Sequence, residues 1–236
     1  MGAVLRSGGG GDGDRAGPGR RARAHAVQII DPTSGPRAAL YAHFRSYQTP
    51  QFTLCSPVAV DTARLRAEGG IFPNLLHAML GAAHTVPELR QRIRVEDGAD
   101  VVVEHARVDC TCTVGRPDGS FDFCTFPWDP DRVAFVADVK HRIADSAAGE
   151  GLDLSAQGRD DLLYLTSVPW IDVSSITHAS PGDPLDCVPK VLWGKIVEDR
   201  MTLCVTAHHG LVDGLHIARF VLEVQRRLGR RAGEGQ

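Results

Sequence analysis

Residues 200–228 read RMTLCVTAHHGLVDGLHIARFVLEVQRRL, and this stretch decides the fold. Its first part alternates apolar and polar side chains, which predicts a β-strand with one face on the core. Asp213 follows, where its carboxylate can cap a helix, and the next glycine allows a sharp turn. Beyond Gly214 the apolar side chains recur at helical spacing, which predicts an amphipathic helix with Ile217, Phe220, Val221, Val224 and Leu228 on its apolar face.

The turn between strand and helix carries the side chains best suited to chemistry. His209 continues the apolar phase of the strand, so its imidazole is expected to point inward. Histidine readily accepts and returns a proton near neutral pH, which makes His209 a candidate general base. The residues alone also allow a hydrogen-bonded core histidine or a metal ligand paired with Asp213. A metal is the less favoured interpretation, because no third and fourth ligand follow at short spacing.

The composition is that of an ordinary globular protein. The chain has 236 residues, 43% hydrophobic and 23% charged, with a formal net charge of −3. This balance points to neither a nucleic acid nor a membrane as partner, and no stretch approaches the roughly 20 apolar residues of a spanning helix. The six cysteines are scattered and the start has no hydrophobic signal core. We therefore expect reduced thiols in a cytoplasmic protein.

One folded domain is predicted between two loose ends. Residues 1–27 are rich in glycine and arginine, and such a segment cannot bury enough apolar area to offset its ordering entropy. We expect a disordered tail there, a single domain over 28–230 and a flexible C-terminus over 231–236.

Strand and helix patterns alternate irregularly along that domain. The predicted helices cover 36–47, 131–147 and the apolar runs that follow residues 61, 72 and 214, with a short turn over 87–93. The predicted strands cover 52–60, 101–114, 120–126, 162–165, 168–176, 188–196 and 200–207. The fold class expected from this order is α+β, an α/β sandwich in which helices cover a mixed, largely antiparallel sheet.

The string His208–Gly214 resembles the His-His-x-x-x-Asp-Gly signature of chloramphenicol acetyltransferases, which other coenzyme A-dependent acyltransferases share. Further matches occur in the family's order over residues 35 to 230. They are Tyr-Ala-His-Phe at 41–44 followed by Tyr47, Phe-Pro at 72–73 with Glu-Leu-Arg at 88–90, and Ser-Val-Pro-Trp at 167–170. The resemblance implies an acyltransferase with the chloramphenicol acetyltransferase fold, and a role in antibiotic resistance.

The resemblance also implies a role for each matched residue. His209 would be the general base that deprotonates an acceptor hydroxyl, which then attacks the thioester of acetyl-CoA. Ser167 would donate a hydrogen bond to the oxyanion of the tetrahedral intermediate, and Asp213 would hold the loop. No covalent intermediate and no metal are implied. The implied assembly is a homotrimer with each active site at a subunit interface, where a small-molecule acceptor binds.

Three further residues are candidates for contact with the acceptor. Tyr47 matches a residue that lines the family's acceptor pocket, and Trp170, although its residue type favours the core, follows the matched serine. Leu192 stands where the family has a threonine near the intermediate. The family's arginine partner of the motif aspartate is also replaced, which leaves Arg37, Arg45 and Arg219 as alternatives.

Two alternatives to acetyl transfer follow from the same residues. The acyl group could come from a longer acyl-CoA or from a carrier protein in a biosynthetic pathway. The changes at Leu192 and at the missing arginine also allow a non-catalytic binding homologue.

Overall fold

The structure is a computed structural model that describes residues 26–149, 151–179 and 182–229. Most of the predicted N-terminal tail and the predicted C-terminal segment 231–236 lie outside the described residues. Within them the helices are α1 (Ala38–Arg45), α2 (Thr62–Ala67), α3 (Ile71–His84), α4 (Arg132–Ala148) and α5 (Gly214–Leu228), with a short 3-10 helix at Pro87–Arg90. The strands are β1 (Val27–Ile30), β2 (Gln51–Ala59), β3 (Gln91–Glu96), β4 (Ala99–His105), β5 (Asp109–Gly115), β6 (Phe121–Phe126), β7 (Leu162–Ser167), β8 (Lys190–Trp193) and β9 (Arg200–His208).

A six-stranded sheet forms the centre of the fold, with strand order β2-β9-β8-β7-β5-β6. β7 runs parallel to both β5 and β8, and the other neighbouring pairs are antiparallel. The predicted α+β class with a mixed, largely antiparallel sheet is confirmed.

Helices α3, α4 and α5 cover one face of this sheet. α3 packs against both α4 and α5, and it is buried along most of its length. Its apolar side chains meet alternate residues of the central strands, such as Leu163, Val191 and Leu203. Burial of this layer is the main source of stability, at about 25 cal/mol per Å² of apolar surface removed from water.

The opposite face of the sheet is lined by hydroxyl, thiol and aromatic side chains. Strand alternation and register place Thr111, Thr166, Cys204 and Thr206 there. Loop segments approach parts of this face: His178 hydrogen-bonds the Thr206 hydroxyl at 3.0 Å. The sequence patterns did not predict what covers this second face, because polar residues at alternate positions of a strand indicate solvent exposure.

A small second sheet was not anticipated. It has the order β1-β4-β3, and residues 101–114, predicted as one strand, divide between its β4 and the β5 of the large sheet. The link at 106–108 contains neither glycine nor proline, so nothing local marked the break. β1 begins at Val27, inside the predicted tail, and β3 replaces the end of the turn predicted over 87–93.

The strand predicted at 168–176 is wrong. Pro169 has no N–H to donate to a neighbouring strand, and the chain turns at once, with the Ile171 N–H directed to the Val168 carbonyl. Trp170 consequently lies 79% exposed rather than in the core, which corrects the expectation drawn from its residue type.

Candidate active site

The turn between β9 and α5 is closed by its own backbone. The His208 carbonyl accepts hydrogen bonds from the N–H groups of Leu211 and Val212, each at 3.0 Å. Gly210 passes so close to the His208 ring that a Cβ there would lie 3.0 Å from a ring carbon. A glycine is therefore needed at this position for close approach, and the turn presents His209 at the end of the strand.

The His209 ring is held between two phenylalanines. Phe44 of α1 stacks on it with a centroid distance of 3.8 Å and an interplanar angle of 8°. Phe52 of β2 also stacks on it, with a centroid distance of 4.2 Å. The backbone N–H of His209 donates to the Pro50 carbonyl at 2.9 Å. The imidazole is thus fixed in orientation while it remains only half-buried.

One ring nitrogen of His209 has a partner that sets the tautomer. Nδ1 lies 3.2 Å from the Val212 carbonyl, which can only accept a hydrogen bond, so the proton of the neutral ring is on Nδ1. Nε2 has no hydrogen-bond partner among the described residues and keeps its lone pair. This is the arrangement that a general base requires.

His208 has a different environment from its neighbour. It is buried, its Nε2–H donates to the Pro184 carbonyl at 3.1 Å, and its Nδ1 accepts from the Gly210 N–H at 3.1 Å. Burial lowers the pKa of the His208 imidazole. With both nitrogens in use, His208 ties the turn to the segment before β8 and has no lone pair left for a substrate.

Asp213 both caps α5 and forms an ion pair. Its Oδ1 accepts from the N–H groups of Leu215 and His216, and its own N–H donates to His216 Nδ1, which completes a capping box. Its Oδ2 pairs with Arg37, so of the three arginines left open it is Arg37 that replaces the family's partner. Burial raises the pKa of the Asp213 carboxyl, but the hydrogen bond from Arg37 and the charges of His216 and Arg37 outweigh it and lower the pKa.

Tyr47 lies close to the imidazole through Phe44. The Tyr47 and Phe44 rings meet edge to face at 5.4 Å, and the Tyr47 hydroxyl hydrogen-bonds His43 Nε2 at 2.9 Å. Tyr47 is exposed, which leaves its ring free to contact a ligand.

Ser167 lies at the opposite end of the sheet from His209 in the same chain. The register places Ser167 beside Trp193 and Trp193 beside Leu203, six residues before His209 on β9. Six residues of extended strand span about 20 Å, and two interstrand spacings of about 4.8 Å add to this. One copy of the chain therefore does not bring the candidate base and the candidate oxyanion donor together.

The remaining predicted contact residues also lie on β7 and β8 or just after them. Trp170 is three residues beyond Ser167 on the exposed turn. Leu192 is fully buried between Thr166 and Cys204 on the neighbouring strands, so as the chain folds here it does not reach a surface from which it could contact a ligand. The prediction that Leu192 binds the acceptor is therefore not supported by its position.

A cavity of about 370 Å³ opens on the helix-free face of the sheet, and its lining reaches Thr166 of β7 but no residue of the β9–α5 turn. Its walls combine strand hydroxyls with side chains of the segment before β7. They include Thr111, Tyr164, Thr166, Leu154, Ala156 and Gln157. The volume falls in the range of small-molecule sites.

Over the described parts of the chain, no group of three or more His, Cys, Asp or Glu side chains is placed to hold a metal ion. Over the same residues, no helix is long and apolar enough to cross a membrane.

Comparison with known proteins finds similar acyltransferases. No family model matches the chain. The chloramphenicol acetyltransferases of Campylobacter coli and Clostridioides difficile are each 21% identical over 203 residues, which is 83% of this chain and 95% and 93% of theirs. A solved chloramphenicol acetyltransferase structure superposes with a TM-score of 0.76 and 28% identity, over 86% of this chain and all of that one. The chain is similar to chloramphenicol acetyltransferases in sequence and in fold. These similarities make it an acyltransferase, and an acyl-CoA is the co-substrate that they imply.

The contacts of several site residues were not predicted from the sequence. Phe52 was placed on its strand and Phe44 on its helix, but no periodicity indicates that their rings enclose His209, which lies 157 and 165 residues further along the chain. The Pro184 carbonyl, which receives the His208 ring proton, lies in a segment without regular structure. These contacts depend on long-range pairing, which local patterns do not report.

Proposed function

We propose that this protein transfers an acetyl group from acetyl-CoA to a hydroxyl of a small molecule, with His209 as the general base. The observation that carries the proposal is the environment of the His209 ring. Two phenylalanine rings fix it, Nδ1 is engaged by the Val212 carbonyl, and Nε2 is unpaired among the described residues. A base positioned in this way accepts the proton of a substrate at Nε2.

The reaction is a direct transfer. His209 Nε2 takes the proton of the acceptor hydroxyl while the hydroxyl oxygen attacks the thioester carbonyl carbon. The tetrahedral intermediate carries its negative charge on the former carbonyl oxygen, to which the Ser167 hydroxyl donates a hydrogen bond. When the C–S bond breaks, the proton on Nε2 passes to the sulfur of the departing CoA. The Val212 carbonyl, which accepts from Nδ1–H, stabilises the imidazolium between these two proton transfers.

We place the complete site between two copies of the chain in a homotrimer. Ser167 and His209 of one copy are separated by about 20 Å along the sheet, as strand geometry requires. The region around Ser167 also exposes apolar side chains that a partner surface could cover, among them Phe121, Phe123, Trp170 and Ile171. His209 of one copy would then face Ser167 of the next.

The roles of the remaining candidates follow from that arrangement. Asp213 is a positioning residue, because it holds the turn through its helix cap and Arg37 and reaches no reacting atom. Tyr47 and Trp170 are exposed and contribute ring surface to the acceptor pocket. The donor and the six unpaired thiols of the structure favour a cytoplasmic protein.

The test is release of CoA thiol from acetyl-CoA in the presence of single acceptors, with chloramphenicol as the first of a panel of small alcohols. We expect turnover with at least one acceptor and acetylated product by mass spectrometry. Substitution of longer acyl-CoA or acyl-carrier donors distinguishes acetyl transfer from the biosynthetic alternative. Protein that binds CoA and an acceptor by calorimetry but releases no thiol with any pair is the non-catalytic homologue. If chloramphenicol is the acceptor, expression in a sensitive host raises its resistance.

A further inference from the structure

Two cysteines face each other across β2 and β9, where the acyl-transfer proposal does not use them. The register pairs Cys55 directly with Cys204. Both side chains project from the helix-free face of the sheet, as strand alternation requires. In the structure both are free thiols, Cys55 exposed and Cys204 buried.

The backbone hydrogen bonds show which kind of antiparallel pair this is. The His209 N–H donates to the Pro50 carbonyl at one end of the ladder, and the Val60 N–H donates to the Asp199 carbonyl at the other. Hydrogen-bonded pairs alternate with non-hydrogen-bonded pairs, so the even-numbered residues of β2 form the bonded ones. Cys55 and Cys204 are therefore a non-hydrogen-bonded pair.

Side chains approach most closely in pairs of this kind. Cα atoms lie about 4.5 Å apart in them, against about 5.5 Å in hydrogen-bonded pairs. The next non-hydrogen-bonded pair along the ladder, Thr53 and Thr206, brings its two hydroxyl oxygens to 2.7 Å. A disulfide requires Cα atoms about 4.4–6.8 Å apart and Cβ atoms about 3.5–4.5 Å apart, which this position can meet without moving the strands.

A second cross-strand pair in the same sheet provides an internal comparison. Cys112 of β5 faces Cys124 of β6, but the Arg116 N–H donates to the Ser120 carbonyl in this ladder, which makes the Cys112 pair a hydrogen-bonded one. Both of these thiols are buried. The Cys55 pair thus differs from it in pair type and in having one thiol open to solvent.

We propose that Cys55 and Cys204 are a reversible dithiol–disulfide site oxidised by hydroperoxides. Hydrogen peroxide transfers one oxygen atom to the Cys55 sulfur, which gives a sulfenic acid and one water. The Cys204 sulfur then attacks the Cys55 sulfur: the S–S bond forms, the S–O bond breaks, and the oxygen leaves as a second water with the hydroxyl proton and the Cys204 proton. Two thiols are oxidised by two electrons, and the peroxide is reduced to two waters.

The environment of each thiol fits its step. Exposure lets the oxidant reach Cys55. Burial, and then a hydrogen bond with Cys55, raises the pKa of the Cys204 thiol to about 12, so Cys204 stays protonated and is protected from direct oxidation. It reacts only with the sulfur placed directly opposite it.

The disulfide would lie on the strand pair that supports the candidate base. Phe52, three residues before Cys55, stacks on the His209 ring, and β9 ends beside it. A covalent link between these strands ties the edge strand β2 to the sheet. We therefore expect the oxidised protein to melt at a higher temperature than the reduced one.

The experiment treats the native protein with hydrogen peroxide, removes the oxidant, blocks the remaining thiols with iodoacetamide in denaturant and maps the unreduced peptides by mass spectrometry. The expected result is a linked Cys55–Cys204 peptide, loss of two of the six thiols, and full recovery of both with dithiothreitol. Cys112 and Cys124 should remain free thiols, which iodoacetamide alkylates once the protein is unfolded. A Cys55–Cys55 link between copies, a sulfinic acid at Cys55 beside a free Cys204, or no thiol loss would each overturn the proposal.

Two variants separate the steps. In Cys55→Ser the linked peptide disappears and all five remaining thiols survive the oxidant, and its exposed position makes this substitution easy to tolerate. In Cys204→Ala the sulfenic acid has no partner, so dimedone should label Cys55. Thiol loss in Cys55→Ser equal to that of the wild type would contradict the assignment, whether or not the Cys204 variant folds.

Discussion

The β9–α5 turn and the C-terminal end of β7 both supply a side chain to the proposed reaction, yet one copy of the chain completes only the first. At the turn, His209 is stacked, hydrogen-bonded and followed by a capped helix. At the end of β7, the Ser167 hydroxyl has no partner within the residues described, and Trp170 is 79% exposed. The contrast suggests a preformed base and an oxyanion donor that acquires its surroundings from a second copy.

The largest effect on kcat should come from removing the His209 imidazole in the β9–α5 turn. Changing His209 to alanine removes the base, and we expect kcat for CoA release to fall by about 10²–10⁴-fold. His141→Ala is the matched control, because this histidine is exposed on α4, far along the chain from the turn. A His209 variant as active as the control would remove the imidazole from the mechanism.

Removing the Ser167 hydroxyl at the end of β7 should have a somewhat smaller effect on the same step. In Ser167→Ala the oxyanion loses one donor, for which we expect a fall in kcat of about 10²–10³-fold with little change in KM. A change confined to KM would instead mean that Ser167 contacts the ground-state substrate.

The two variants together test whether the site is shared. Random trimers of His209→Ala and Ser167→Ala subunits, co-expressed with different tags, contain sites that combine an intact base with an intact serine. Since each requirement is met in half of the positions, about one quarter of the wild-type activity should return. Two inactive variants that stay inactive when mixed would place both side chains in one copy, against the strand register.

Asp213 should affect stability more than chemistry. Asp213→Ala removes the helix cap and the Arg37 pair, and we expect a loss of about 0.5–2 kcal/mol in the free energy of unfolding from the cap alone. Asp213→Asn keeps the cap and loses the ion pair, so it should be the milder change. Chemical denaturation of both variants measures this, and equal losses would assign the effect to Arg37.

The smallest predicted effect is a dependence of stability on mild acid. Burial lowers the pKa of four histidines, His77, His84, His178 and His208. Below the unfolded-state pKa of about 6.5, the unfolded chain binds protons that the buried rings do not bind. The stability present above that pH is therefore lost as the pH falls. The lowered pKa of Asp213 acts only at more acid pH, below its unfolded value near 3.8. Thermal melting between pH 8 and pH 5 should show a falling Tm, and a constant Tm would mean that the rings remain solvated.

Prediction from the sequence was most successful where residues close together in the chain determine the structure. The strand, turn and helix around His209 occur as predicted, as do the helix after residue 61 and the helix over 131–147. It failed where two elements of similar pattern belong to different sheets, as in the division of 101–114, and where proline ended a strand at 168–176. Periodicity describes which face of an element is apolar, and it does not describe which partner covers that face.

The sequence by itself determined the resemblance to chloramphenicol acetyltransferases, the α+β class and the residues of the β9–α5 turn, because short-range spacing fixes both the motif and the strand-to-helix change. Only the tertiary structure decided that Arg37 holds Asp213, that two phenylalanines enclose His209, and that Ser167 lies at the far end of the sheet. Those relations join residues that are distant in the chain, from 42 to 176 positions apart. Strand register and packing set them, and no local pattern encodes either.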